Sequence, residues 1–309
     1  MFQVAGDVDN SESSILLPDS ILDNSPSFKD KIDPTEELLY RVYGCELIQE
    51  AGILLKLPQV VMATGQNIFH RFFYRKSLER FDSFTVAMGS ILLASKIEEK
   101  LKYLRDIIFV FHHIYQRRKC LKLKPLELGG VRYSEWKNEL ITIERYLLKE
   151  LGFSFYNILD HPHKYILYYV KMLDGTSELS QTAWNYLNDS LRLDLSLRYP
   201  AEEIACTAIY MAARKCNFPL PNNPPWWSLM IVDKNRMLLI CDKILELYHM
   251  PKVNFIARFS YIFSIMCSLF LNGMVTFLVL FLFNNLIKNS TTVLLVISTP
   301  LIMNSLIQG

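Results

Sequence analysis

The chain is poor in glycine, with 11 in 309 residues, and none is clustered into a loop that could cradle a phosphate. Such a loop needs neighbouring glycines so that backbone N–H groups can approach the anion. There is no GxSxG turn and no Cys/His pair with an orienting third group, so nucleophilic catalysis has no machinery here. Six cysteines (Cys45, Cys120, Cys206, Cys216, Cys241 and Cys267) form no CxxC and no metal-finger spacing, and read as reduced thiols. His112-His113 and His161/His163 have no Cys or carboxylate at ligand spacing, so neither a metal nor another cofactor is expected. An excess of one charge is lacking too. With 33 Lys and Arg against 31 Asp and Glu, the total implies no polyelectrolyte partner. Residues 1–33 carry Asp and Ser where a signal peptide needs an apolar run. As far as Gly152 no stretch alternates like a strand.

What the chain has is apolar residues at helical spacing. The stretch Ser83 to Lys100, SFTVAMGSILLASKIEEK, is apolar or small on nearly every face as far as Ile97, with Lys96 the one charge. A helix apolar all round is a membrane span or the centre of a larger protein. About fourteen residues fall short of the roughly 20 a bilayer needs, so this reads as a central core helix capped by Asp82 or Ser83. Around it lie helices expected from Pro34 to about Ala51, Pro58 to Tyr74, Tyr103 to Gln116 and Ser134 to Leu151. In the last, Trp136, Leu140, Ile143, Leu147 and Leu151 form one stripe, and Gly152 follows as a residue able to turn left-handed. Between the last two sits a basic stretch, Arg117 to Arg132, read as a solvated insertion rather than a nucleic-acid patch.

A second set follows: His161–Leu173, Ser180–Leu197, Ala201–Cys216, a turn holding Trp226 and Trp227, and Asp233 to Tyr248. The tryptophans read as packing. AMGSILLASK ends at Lys96 and ACTAIYMAARK at Lys215, while the fifth members set Glu144 opposite Asp242. The organisation is therefore all-α, one five-helix plan used twice. Residues 1–33, rich in Asp, Ser and Pro, read as a disordered acidic arm.

Two such units with LLASKIEE in the third helix and ITIERYLLKELGF in the fifth resemble a cyclin. GQNIFHRFFYRKS, ASKIEEK, RDIIFVFHHIYQRR, HPHKYILYYVKML, NDSLRLDLSLRYPAEEIACTAIYMAAR and PPWWSLM are similar to the L-type cyclins over roughly residues 34–252. The resemblance implies tandem cyclin boxes at 34–155 and 156–252. It also implies a non-catalytic subunit that activates a cyclin-dependent Ser/Thr kinase, especially of the PITSLRE kind, in RNA polymerase II transcription and pre-mRNA splicing. A nuclear location follows from the same likeness. The family's lysine–glutamate pair falls on Lys96 and Glu144, which would reach backbone groups around the kinase's regulatory helix. Leu93, Ile97, Leu148 and Phe153 would supply the apolar contact, with Glu98 and Glu99 at its edge. A double-cyclin-fold nucleic-acid-binding transcription factor, and a membrane-tethered cyclin-like adaptor, are the alternative functions.

The L-type family continues into an Arg/Ser-rich tail, which this sequence does not show. Residues 253–309 are instead hydrophobic, and Phe259 to Ile287 contains no charged residue. That is long enough to span a bilayer. Lys243, Lys252 and Arg258 precede it and Lys288 follows, so an anchor would leave the helical units facing the cytosol. A membrane anchor, an alternative or mispredicted end such as translated intron, and a buried helix all remain open readings of 259–287.

Overall fold

The computed structural model describes residues 16–155, 158–230 and 232–251. The stretch 259–287 lies outside them. Among the described residues no helix is long and apolar enough to cross a membrane, and there is no strand, only a single bridge between Asn222 and Pro225. The first set comprises α1 (Asp19–Leu22), α2 (Pro26–Lys29), α3 (Pro34–Leu54), α4 (Gln59–Phe73), α5 (Ser83–Ile97), α6 (Leu104–Arg118) and α7 (Val131–Glu150). The second comprises α8 (His163–Met172), α9 (Ser177–Ser190), α10 (Leu195–Arg198), α11 (Ala201–Lys215), α12 (Trp226–Leu229) and α13 (Lys234–His249).

Local chemistry starts these helices. Asp33, Asp82, Thr176 and Asp233 each accept a backbone N–H of the first turn from α3, α5, α9 and α13 respectively, which satisfies donors that no earlier residue could reach. Tertiary packing then sets their order. α5 is buried from Ser83 to Ser95 and packs against α3, α4, α6 and α7. α11 holds the same place among α8, α9 and α13, over a core that includes Ile166, Leu187, Ile209 and Ile244. Trp226 is buried in that core and Trp227 packs against it.

The two sets are joined by buried and half-buried polar contacts. His70 Nε2 on α4 lies 3.2 Å from the Leu191 carbonyl, and Asn67 donates to the Ile158 carbonyl at 3.4 Å. Tyr74 donates to Asp194, and Arg192 pairs with Glu46. Burial alone would raise the Asp194 pKa, but Arg198, the Tyr74 hydroxyl, Arg41 and His70 outweigh it and hold it below the usual range. These contacts divide the single helix expected over Ser180–Leu197. α9 stops at Ser190, and the chain restarts as α10. The Leu191 carbonyl serves His70, and Asp194 is drawn to Tyr74 and Arg198.

The acidic arm expected over 1–33 is structured from residue 16 onward. Leu17 N–H donates to the Leu197 carbonyl at 2.9 Å, and Leu22 packs with Tyr74 and Leu197. Ser25 donates to Glu37 at 2.5 Å, and Ser27 accepts from Leu78 N–H at 3.1 Å. Few apolar residues suffice because the surface that buries them belongs to both sets. The basic stretch also differs from a wholly solvated insertion. Arg117 and Arg118 end α6 and both reach Glu50 of α3, with Arg118 at 2.8 Å.

Candidate functional site

Lys96 and Glu144 meet because α5 and α7 approach closely. α7 turns Leu140, Ile143 and Leu147 inward, and Gly89 of α5 faces the last two. A Cβ on Gly89 would stand 2.2 Å from Ile143 Cγ2 and 3.1 Å from Leu147 Cδ1, far inside contact distance, so only glycine permits this spacing. Two turns further along α5, Lys96 Nζ donates to Glu144 Oε1 at 2.5 Å. The lysine side chain is 47% exposed and the glutamate 14%. An ion pair this open contributes about 0–1 kcal/mol to folding, so stability does not explain it.

Both helices end in a left-handed cap. In α5, Glu99 N–H donates to the Lys96 carbonyl and Lys100 N–H to that of Ser95. In α7, Gly152 N–H donates to the Lys149 carbonyl and Phe153 N–H to that of Leu148. This paired pattern reverses the chain after each helix. Glu99 and Phe153 both have positive φ, at 55° and 56°, a conformation that costs a bulky residue of order 1 kcal/mol. The second cap holds Phe153, 69% exposed, beside Leu148 at the end of the α7 face that carries Glu144.

Of the expected apolar contacts, Ile97 and Leu148 are half-buried at the rim and Phe153 is exposed. Leu93 is not available: it is 3% exposed, within the core of the first set. Glu98 also differs from its expected place at the edge. It accepts from Thr64 Oγ1 at 2.5 Å, and the same hydroxyl lies 2.8 Å from His161 Nε2, so Glu98 braces the connection to the second set while Glu99 stays exposed. Sequence reasoning missed Leu101 and Tyr103, which follow the α5 cap and are 73% and 74% exposed. The signal available was their position, two apolar side chains directly after a charged helix end. Ile141, exposed three residues before Glu144, extends the apolar rim along α7.

Among the described residues the second set has no equivalent site. Lys215 lies over the Tyr186 ring, 5.7 Å from its centroid. Asp242 is exposed and pairs with no cation among the described residues. The expected opposition of Asp242 to Glu144 is one residue out of register. Met237, Ile240 and Ile244 are buried as Leu140, Ile143 and Leu147 are, which puts Cys241 where α7 has Glu144. The described cysteines are all free, and no cluster of His, Cys, Asp or Glu among the described residues could hold a metal.

Comparison with known proteins agrees with this architecture. Residues 19–156 match the cyclin N-terminal domain and residues 161–248 the cyclin-T2-like C-terminal domain. The chain is 48% identical over 241 residues to Cyclin-L1-1 of Arabidopsis thaliana, covering 78% of this chain and 58% of that protein. It is 47% identical over 242 residues to Cyclin-L1 of Homo sapiens, covering 78% and 45%. It thus spans about half the length of the curated relatives it matches. Among solved structures, a chain of the yeast RNA Pol II CTD kinase CTDK-1 complex shares the fold, with a TM-score of 0.59 at 18% identity over 75% of this chain and 72% of that one. With the cyclin N-terminal and C-terminal domains in tandem on the helices described above, the chain belongs to the cyclin family.

Proposed function

We propose that the chain is the non-catalytic regulatory subunit of a cyclin-dependent Ser/Thr kinase of the PITSLRE kind, acting in the nucleus on RNA polymerase II transcription and pre-mRNA splicing. The observation that carries this reading is the Lys96–Glu144 pair, set on the rim of a rigid helix pair and absent from the second set. Lys96 uses one of its three donors on Glu144. Its other donors, and the second oxygen of Glu144, are groups that backbone carbonyls and N–H groups at the end of a kinase helix can engage. Ile97, Leu148 and Phe153, with Leu101 and Tyr103, give that helix an apolar seat. Holding the helix in place completes the kinase's own lysine–glutamate ion pair. The relatives named Cyclin-L1 and the fold shared with a chain of an RNA polymerase II CTD kinase complex support the transcriptional assignment.

The test is capture of a kinase by the full chain and by Lys96→Ala/Glu144→Ala. Removing a charged side chain hydrogen-bonded across a buried interface, which leaves its partner groups on the kinase unpaired, costs about 2–5 kcal/mol, so kinase recovery and kinase activity should fall together by at least tenfold. A folded double variant that captures kinase as well as the wild type removes these two residues from the interface.

A further inference from the structure

On the side of the first set where α6 ends, a pocket of about 330 Å³ opens between that helix and the segment after it, with Phe109, His112, Leu123, Pro125 and Leu126 among its walls. The segment is irregular yet built. Gln116, buried on α6, accepts from Lys124 N–H at 3.0 Å and donates to the Lys124 carbonyl at 3.2 Å, so one amide clamps the returning chain against the helix. Residues 121–127 run without helix or turn, and among the described residues no hydrogen bond uses the backbone of Lys122 or Leu123. Leu121, Leu123 and Leu128 are exposed.

The rim is basic. Lys122 and Lys124 are exposed, and Arg132 lies over the Tyr115 and Trp136 rings at 5.4 and 5.9 Å. None of these three pairs with a carboxylate among the described residues, whereas Arg117 and Arg118 are taken up by Glu50. Glu127 is the sole acid between residues 117 and 132. The free backbone groups of Lys122 and Leu123 can hydrogen-bond an extended peptide, the pocket beside Phe109 and Leu126 has room for an apolar side chain, and uncompensated lysines favour acidic flanks.

We infer that this surface is a docking site for an extended acidic peptide of a partner protein, with one apolar side chain anchored in the pocket beside Phe109 and Leu126. A nucleic acid fits less well, because Arg132 covers the Tyr115 and Trp136 rings that could stack on bases, and the pocket walls are largely apolar. The site is separate from Lys96 and Glu144, and its test does not depend on a kinase.

A fluorescein-labelled peptide, Glu-Asp-Glu-Trp-Asp-Glu-Asp, is titrated with the full chain and followed by fluorescence polarisation. Saturable binding is expected, weakened about tenfold by Lys122→Glu/Lys124→Glu, by Leu123→Ser, and by replacing the peptide's tryptophan with serine. These side chains are exposed, so the variants should fold, and unchanged thermal melts check that. Equal affinity for the serine peptide would overturn the anchored mode and leave only charge attraction. No saturation up to millimolar peptide overturns the site itself. Tighter binding of a single-stranded RNA of similar length, lost on the same charge reversal, would reassign the surface to nucleic acid.

Discussion

α5 and α11 are both buried along most of their length, both carry a lysine in the last turn, and both are closed by a left-handed cap residue, Glu99 and Asn217. They differ in what the lysine meets. Lys96 reaches a partly buried carboxylate on a neighbouring helix, whereas Lys215 lies on an aromatic ring. They differ too at the point of closest packing. Gly89 admits Ile143, and counting back the same distance from Lys215 gives Ala208, which already carries a Cβ. A repeated scaffold gains a charged site only where two helices come close enough, in the right register, for a side chain from each to meet at the rim.

The largest expected effect comes from making the first set resemble the second at Leu93, whose counterpart is Ala212. Leu93→Ala should destabilise the fold by about 3 kcal/mol, as buried leucine truncations do, read by denaturant unfolding. A loss below about 1 kcal/mol would mean that Leu93 does not lie in the core. Gly89→Val should cost about 2 kcal/mol by overpacking against Ile143 and should reduce kinase capture as Lys96 and Glu144 part. Ala208→Gly, the reciprocal change, should cost about 1–2 kcal/mol through helix propensity and a lost buried methyl and leave capture unchanged. Equal behaviour of the two variants would break the comparison.

Acid sharpens the comparison at the junction between the sets. Burial, then Arg41, lowers the His70 pKa to about 4, and burial, then His163 and Lys164, lowers that of His161 to about 4. Because both folded values lie below the ordinary 6.5, the unfolded chain binds more protons between pH 6.5 and 4, and stability falls as pH drops through that window. Each histidine should contribute up to about 2 kcal/mol of loss by pH 5. In thermal melts against pH, His70→Gln should flatten the slope, and an unchanged slope would show that His70 is not the titrating group. The smallest effect is on folding by the ion pair. Lys96→Ala should change stability by less than about 1 kcal/mol and Lys215→Ala by no more, although kinase capture should respond to the first alone.

Much of this was legible from residue types. Asp33 and Asp82 as caps, Gly152 as a left-handed stop, and the stripe of Leu140, Ile143 and Leu147 are local features that depend on neighbours a few residues away. The places where reading and structure part company are all non-local. Leu93 has the same composition around it whether its face meets solvent or core, and Glu98 looks like a solvated helix end until Thr64 arrives from α4. Residues 16–33 have too little apolar content to fold alone, yet Leu17 and Leu22 find a surface made jointly by α4 and α10.

The sequence by itself determined the all-helical repeat and the central apolar helix, because periodicity and capping act over one or two turns, and its resemblance to the cyclins supplied Lys96 and Glu144 as the candidate pair. Only the tertiary structure decided that Gly89 lets α7 close on α5, that Asp242 falls one residue out of register, and that Glu98 turns inward. Those outcomes depend on interhelical distance and rotation, which close packing of side chains distant in the chain fixes.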